Sequence, residues 1–313
     1  MESEQLSRPV GTNEHQEEKE CFYISLTHLN ATSWATRGKI GGVTESLNQS
    51  LLALALDIAK STSEILVNQR PENMAYESKS TPVDLVTEMD KAAERHIVQR
   101  VKDVRPNDSF LGEEGTALPP DNPSNVKWII DPIDGTVNYF YNHPYWAISI
   151  GVEVDGEIQV GVVAAPLLHE TFYAIKGGGS FVLHDGVKKK LQTNSGASID
   201  KALLATGFGY EAERRKKQGA LLAEIVVIAR DVRRAGAAAL DFCYVAAGRL
   251  DAYYEFGLYP WDFAAGSLIV TEAGGRVGGL AGNKLGGDWS LGANADLFDE
   301  VDQLVTKLSK KYF

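Results

Sequence analysis

Cysteine is nearly absent. Only Cys21 and Cys243 occur in 313 residues, and they lie far apart. That leaves no disulfide framework and no thiolate metal site, and it suits a reducing cytoplasm. Basic residues are outnumbered, with 31 Lys and Arg against 42 Asp and Glu and a net charge of -11. Such a balance argues against non-specific nucleic-acid binding, which needs a basic face. Small anionic substrates stay open, because a bound metal can reverse the local sign. No apolar run is long enough to span a bilayer. The opening "MESEQLSRPVGTNEHQEEKE" lacks the basic and apolar regions of a signal peptide. The acceptor-like tripeptide Asn30-Ala31-Thr32 is accordingly read as chance. Histidine is scarce as well, and the six present form no His-Glu-x-x-His zinc pattern.

What is present is globular: 44% hydrophobic residues supply a sizeable core for one or two domains. Residues 1–44 show no sustained periodicity and are expected to be a largely disordered extension or a loosely docked arm. At Ser46 the texture changes. Ser46 and Gln49 make a capping box, and Leu47, Leu51, Leu54, Ile58 and Ile65 then recur at helical spacing. Loop and short strand follow through Thr87. A second helix carries Ala93, Ile97, Val101 and Val104 on one face. "SFLGEEG" and "KWIID" read as strands ending in carboxylates. "YWAISIGVEV", "EIQVGVVAA", "TFYAIKGGG" and "FVLHDGVKKKLQT" read as antiparallel strands with turns at Asp155-Gly156 and Asp185-Gly186. After Ala202 strand and helix alternate, through "QGALLAEIVVIAR", "DVRR", "GAAALDFCYVAAG", "LDAYYE" and "FAAGSLIVTEAGG". The grouping predicts an α/β protein over residues 45–313. An antiparallel-sheet half occupies about residues 45–200, and a mixed half about residues 201–313.

Carboxylates collect at the ends of these elements: Asp90, Glu113 with Glu114, Asp131 with Asp134, and Asp262. Strand ends and helix starts present side chains into a crevice outside a sheet. Acids converging there repel one another, and divalent cations remove that penalty. An all-oxygen set suits Mg2+, and a shared carboxylate suits a metal pair. Each piece also has a plain reading. Asp90 is spaced to complete a capping box with Thr87, Asp134-Gly135 could be an ordinary turn, and Asp262 could be a helix-start acid. Glu113 and Glu114 could sit in a solvated loop. A calcium-loop reading fails, because Pro132 and Ile133 occupy early loop positions and Asn142 stands where the bidentate glutamate belongs.

Together "GEEG", "WIIDPIDGTVNY" and "PWDFAAGSLIVTEAGG", with "KSTPVDLVTEMD" before and "AGRLDAYYE" after, resemble the inositol monophosphatase family of Mg2+-dependent, lithium-sensitive sugar phosphatases. The resemblance runs from about Ser46 to the C-terminus. It implies a layered αβαβα fold with an antiparallel sheet and a second mixed sheet. It implies two or three Mg2+ ions, with Mn2+ as a substitute, held by Glu113, Asp131, the Ile133 carbonyl, Asp134 and Asp262. It implies that Asp90 and Thr136 activate the attacking water and that Glu114 supports the metal ligands. Asp134, Gly135, Thr136, Ala238, Glu255 and Asp262 would meet the substrate, with phosphate oxygens at the helix start of Gly135 and Thr136. Glu255 has the plain alternative of a surface carboxylate at a strand end. Ala235 stands where family members often carry a serine or threonine. Arg233 and Arg234 could meet a second anionic group, although strand-edge charges are the favoured reading. The expected activity is hydrolysis of a small polyol phosphate, first inositol 1-phosphate, in a cytoplasmic homodimer without nucleic-acid or membrane partners. Histidinol phosphate, fructose 1,6-bisphosphate and adenosine bisphosphate are rival substrates. A binding or scaffold protein on the same fold is the non-enzymatic alternative.

Overall fold

Ser46 accepts the Gln49 N–H on its hydroxyl, and Gln49 returns the bond to the Ser46 N–H. This reciprocal cap starts α1 (Leu47–Asn68). The computed structural model describes residues 46–79, 81, 85–116, 120–196 and 198–313. The expectation for residues 1–44 lies outside them. Leu51 and Ile58 are buried on α1, whereas Leu47 faces solvent. Next come β1 (Tyr76–Ser78), β2 (Leu85–Thr87), α2 (Glu88–Val104), β3 (Ser109–Gly112), β4 (Val126–Asp134) and the short α3 (Thr136–Phe140). On α2, Ala93, Ile97 and Val101 are buried as expected. Val104, the last residue of the helix, is exposed.

The meander β5 (Ala147–Val154), β6 (Glu157–Ala165), β7 (Glu170–Ile175), β8 (Gly179–His184) and β9 (Val187–Lys190) is antiparallel throughout. Asp155-Gly156 and Asp185-Gly186 turn two of its corners with positive φ at both residues, which matches the twist of tight hairpins. β4 joins the meander antiparallel to β5, but β3 pairs parallel to β4. The seven-stranded sheet is thus antiparallel except at that edge. The second half contributes β10 (Leu203–Thr206), α4 (Ala212–Ile228), β11 (Asp231–Arg233), α5 (Ala238–Ala246), β12 (Ala252–Phe256) and α6 (Pro260–Glu272). Three further elements have no counterpart in the sequence reading: β13 (Arg276–Gly278), β14 (Trp289–Ala293) and α7 (Phe298–Tyr312). The five-stranded sheet runs β11-β10-β12-β14-β13, parallel among the first three strands and antiparallel around β14.

The layers follow from which faces are apolar. α1 and α2 cover one face of the large sheet over Ile58, Ile97, Trp128 and Ile150. α5 and α6 fill the space between the two sheets around Phe242, Tyr253 and Ile269. α4 and α7 close the far face over Leu204, Tyr254 and Val305. The result is the αβαβα order that the motifs imply. One detail of this packing positions the start of α6. Gly151 and Gly161 are cross-strand partners on β5 and β6. A Cβ at Gly151 would lie 2.8 Å from the Ala264 Cβ, and one at Gly161 would lie 2.6 Å from the Ala265 carbonyl. Two glycines therefore let α6 settle onto the sheet, and the start of α6 carries Asp262.

Candidate active site

Asp131 and Asp134 both lie at the end of β4. In an unbroken strand, residues three apart point to opposite faces. Here Asp131 sits opposite Ser149 and Asp134 opposite Ala147, so three steps on β4 face two on β5. The extra residue is a bulge, and it turns both carboxylates to one side. Pro132 is tolerated at such an interruption. The Ile133 N–H donates to Asp131 Oδ1 at 3.0 Å, which closes the turn. Asp134 is gripped from across the molecule. Its two oxygens accept from the Ala238 N–H at 3.0 Å and the Ala239 N–H at 2.7 Å, in the first turn of α5.

Gly135 follows with φ +91°, where an L side chain is strained, and a Cβ would meet the Gly236 carbonyl at 3.1 Å. α3 spans only five residues. The Thr136 hydroxyl lies 3.1 Å from both Asp90 Oδ1 and the Ile133 carbonyl, and its single proton must choose between them. Asp90 Oδ2 accepts the Thr87 N–H at 2.8 Å and the Thr87 hydroxyl at 2.6 Å. The capping-box reading of Asp90 is thus correct, and its other oxygen still faces Thr136. Asp262 behaves alike: Oδ2 accepts the Tyr259 N–H at 2.7 Å at the start of α6. The Ser149 hydroxyl donates to the Trp261 carbonyl at 3.1 Å, which ties that helix start to the strand residue facing Asp131.

Glu113 and Glu114 occupy a turn after β3, and two residues absent from the sequence reading organise it. Glu94 on α2 accepts the Glu114 N–H at 2.8 Å and the Thr116 N–H at 3.1 Å. The Lys79 ammonium lies 2.9 Å from Glu113 Oε1 and 2.6 Å from Glu114 Oε1. Gly112 signals the first contact, since a Cβ there would collide with the Glu94 carboxyl. Glu113 and Glu114 are partly buried and ion-paired, not solvated.

Glu255 is not a surface carboxylate either. It is partly buried, accepts the Tyr253 hydroxyl at 2.6 Å, and fills the space a side chain at Gly207 would take. Ala238 is buried at the start of α5, and the Ala235 carbonyl accepts from Asn138 Nδ2 at 2.9 Å. Of the paired arginines, Arg233 is exposed and pairs with Asp231 at 2.6 Å, as expected of a strand edge. Arg234 departs from that expectation. Its guanidinium lies 5.8 Å from the centre of the Phe208 ring, and its charge acts on Glu255 and Asp241.

Electrostatics unites the set. Burial, then repulsion from Glu113 and Asp134, holds the Asp131 and Asp262 carboxyls well above the usual carboxylate range. Burial pushes Asp134 up to about 7, against the pull of its two N–H bonds. Burial likewise raises Glu114 to about 7 despite Lys79, and Asp90 to about 6 despite the Thr87 bonds. Clustered acids of this kind are costly unless a cation shares them. Among the described residues, no three acidic, imidazole or thiol groups already close around one point as a finished cage. The donor chemistry nevertheless fits a hard divalent cation. The set is all oxygen, mutually repelling and buried, and Lys79 supplies positive charge only on the Glu113 side.

This architecture defines a layered αβαβα protein with mutually repelling, buried acids at a bulged strand end and at helix starts. Comparison with known proteins agrees. The chain belongs to the inositol monophosphatase family, which it matches over residues 47–310. It is 47% identical over 209 residues to the inositol-1-monophosphatase SuhB of Mycobacterium tuberculosis, covering 65% of this chain and 71% of that one. It is 38% identical over 229 residues to the Nus factor SuhB of Haemophilus influenzae, covering 72% and 84%. The solved structure of the Thermotoga maritima IMPase superposes with a TM-score of 0.76 at 30% identity, covering 84% of this chain and all of that one. Among the described residues no helix is long and apolar enough to cross a membrane.

Proposed function

We propose that this protein is a Mg2+-dependent phosphomonoesterase acting on a small polyol phosphate, with inositol 1-phosphate as the first substrate. The observation that carries the reading is the bulged strand end, where Asp131 and Asp134 are buried and repelled by Glu113. Glu113, Asp131, the Ile133 carbonyl, Asp134 and Asp262 would hold two or three Mg2+ ions, with Mn2+ as a substitute and Li+ as an inhibitor. Those ions would acidify a water and neutralise charge on the phosphoryl group and the departing alkoxide. The chain supplies the rest. Thr136 and Asp90 orient the attacking water, and an Asp90 carboxylate titrating near 6 can take its proton at neutral pH. Glu114 supports Glu113 through their shared Lys79. The Gly135-Thr136 turn receives phosphate oxygens, and a water near Asp262 returns a proton to the leaving oxygen. Ala238 lies along the ring, and Glu255 accepts polyol hydroxyls.

Phosphate release from inositol, histidinol, fructose and adenosine phosphates, with Mg2+ and after chelation, tests the class and ranks the substrates. Full activity after exhaustive chelation would sink the metal assignment. Glu255→Gln tests the polyol contact. A hydrogen bond to a charged group is worth ~1.5–3 kcal/mol, so turnover of inositol 1-phosphate should fall by about ten-fold or more while an aryl phosphate is spared. Equal losses on both substrates assign Glu255 to structure.

The names of the Haemophilus and related proteins support a second reading, a Nus-factor role on the same fold. A variant without phosphatase activity that still supports that role in cells would favour it. We also propose a cytoplasmic homodimer. Val226, Val227 and Ile228 are exposed together at the end of α4, beside the edge strand β11. Sedimentation of the full chain reads the mass directly.

A further inference from the structure

Asp134 is held by α5, so whatever fixes the first turn of α5 also fixes Asp134. Three residues do so. Asn138 Nδ2 donates to the Ala235 carbonyl at 2.9 Å and to the Tyr145 carbonyl at 2.6 Å. It spends both amide hydrogens on two segments far apart in sequence. Those segments flank Gly135 closely, since a Cβ on it would meet the Gly236 carbonyl at 3.1 Å and the Tyr145 carbonyl at 3.2 Å. The Tyr145 hydroxyl then donates to Asp241 Oδ1 at 2.8 Å, one turn along α5. Asp241 is 1% exposed. A buried carboxyl held by one phenol is a weak source of stability, because an apolar pair of similar shape commonly does as well. Its position is what distinguishes it: it clamps the helix turn that carries the Ala238 and Ala239 N–H groups.

We propose that Asn138, Tyr145 and Asp241 are positioning residues for this site. They hold α5 against the turn after β4 so that both N–H groups stay on Asp134. The proposal rests on the metal-dependent phosphatase reading, and its test is chosen to fail separately. Three variants of the full chain are compared: Tyr145→Phe, Asp241→Asn, and the double variant Tyr145→Phe with Asp241→Leu. Mg2+ affinity is measured by calorimetry without substrate, beside thermal melts.

Tyr145→Phe leaves Asp241 without its donor. Mg2+ affinity should fall about ten-fold, at the low end for partners that orient a metal ligand. Asp241→Asn keeps an acceptor oxygen for the phenol and should bind Mg2+ like the wild type. The double variant removes the buried polar pair altogether. Its melting temperature should return to the wild-type value while its Mg2+ affinity stays lowered. Recovery of both together would assign the pair to stability alone and overturn the proposal. So would equal Mg2+ affinity in Tyr145→Phe and Asp241→Asn, a comparison that stands even if the double variant does not fold. A wild-type protein that binds Mg2+ yet releases phosphate from no monoester refutes the phosphatase reading and leaves this comparison intact. One that binds no Mg2+ overturns both.

Discussion

Replacing Asp262 by asparagine separates its helix-start role from the metal-ligand role proposed for it. As a helix-start acid, Asp262 offers the Tyr259 N–H an oxygen at 2.7 Å, and an asparagine oxygen can take that bond. The loss on the helix side is then the charge–dipole contribution, roughly 0.3–1 kcal/mol. For a domain of this size that is worth about 2–4 °C or less. The opposing effect is larger in kind. Burial, then Glu113 and Asp134, raise the Asp262 pKa well above its ordinary value. A carboxyl whose folded pKa is raised destabilises the folded state at every pH above its unfolded pKa. At pH 7 without metal the neutral asparagine should therefore melt at or above the wild-type temperature. At pH 4 the protonated aspartic acid is equivalent to asparagine, and the difference should shrink. Saturating Mg2+ should stabilise the wild type more than the variant, because ligand stabilisation grows with affinity. Turnover should fall by 10²–10³-fold, the order expected when ~3–4 kcal/mol of transition-state electrostatics is lost. Thermal melts with and without Mg2+, at both pH values, are read beside phosphate release. Near-normal turnover with a lowered melting temperature would refute the reasoning and leave Asp262 a cap alone.

Two further outcomes follow from the same geometry. Asp90, Glu114 and Asp134 have folded pKa values of about 6, 7 and 7, above their unfolded ones, so the folded state binds more protons across that interval. Metal-free stability should fall as pH rises from about 5 to 7.5, Mg2+ should flatten the slope, and a melting temperature that climbs with pH would contradict the shared burial of these acids. Gly161→Ala places a methyl against the Ala265 carbonyl and should lift α6 from the sheet, costing roughly 1–3 kcal/mol by overpacking. Turnover should drop with it, since α6 carries Asp262, and an unchanged melting curve would show that the glycine pair is not what seats the helix.

Much of this molecule was legible because local chemistry and global fold agree. The Ser46–Gln49 box, the Asp-Gly corners and the apolar stripe on α2 each state a backbone geometry within a few residues. α7 was missed although Val301, Val305 and Leu308 are spaced for one buried helical face. β13 has only three residues, and β14 carries Gly292 within a strand buried on both faces, so neither shows an alternating pattern. The bulge could not be read at all. Spacing alone sends Asp131 and Asp134 to opposite faces, and only the register against Ser149 and Ala147 reverses this. Lys79 and Glu94 carry no motif of their own, and their partners come from the fold.

The instructive case is the pair of carboxylates with two plausible readings. Weighing cap against site treats them as rivals, yet the observed caps are compatible with the site role proposed for Asp90 and Asp262. Each sits at the third helical position, and each gives Oδ2 to a backbone N–H three residues earlier. That bond fixes the side-chain rotamer and leaves the other oxygen to a second partner, which for Asp90 is the Thr136 hydroxyl. A carboxylate that must face other negative charges would otherwise swing toward water, and the cap prevents it. In the proposed site the helix start would mount a carboxylate oxygen, and a capping box beside a strand-end acid is a reason to suspect chemistry rather than to dismiss it.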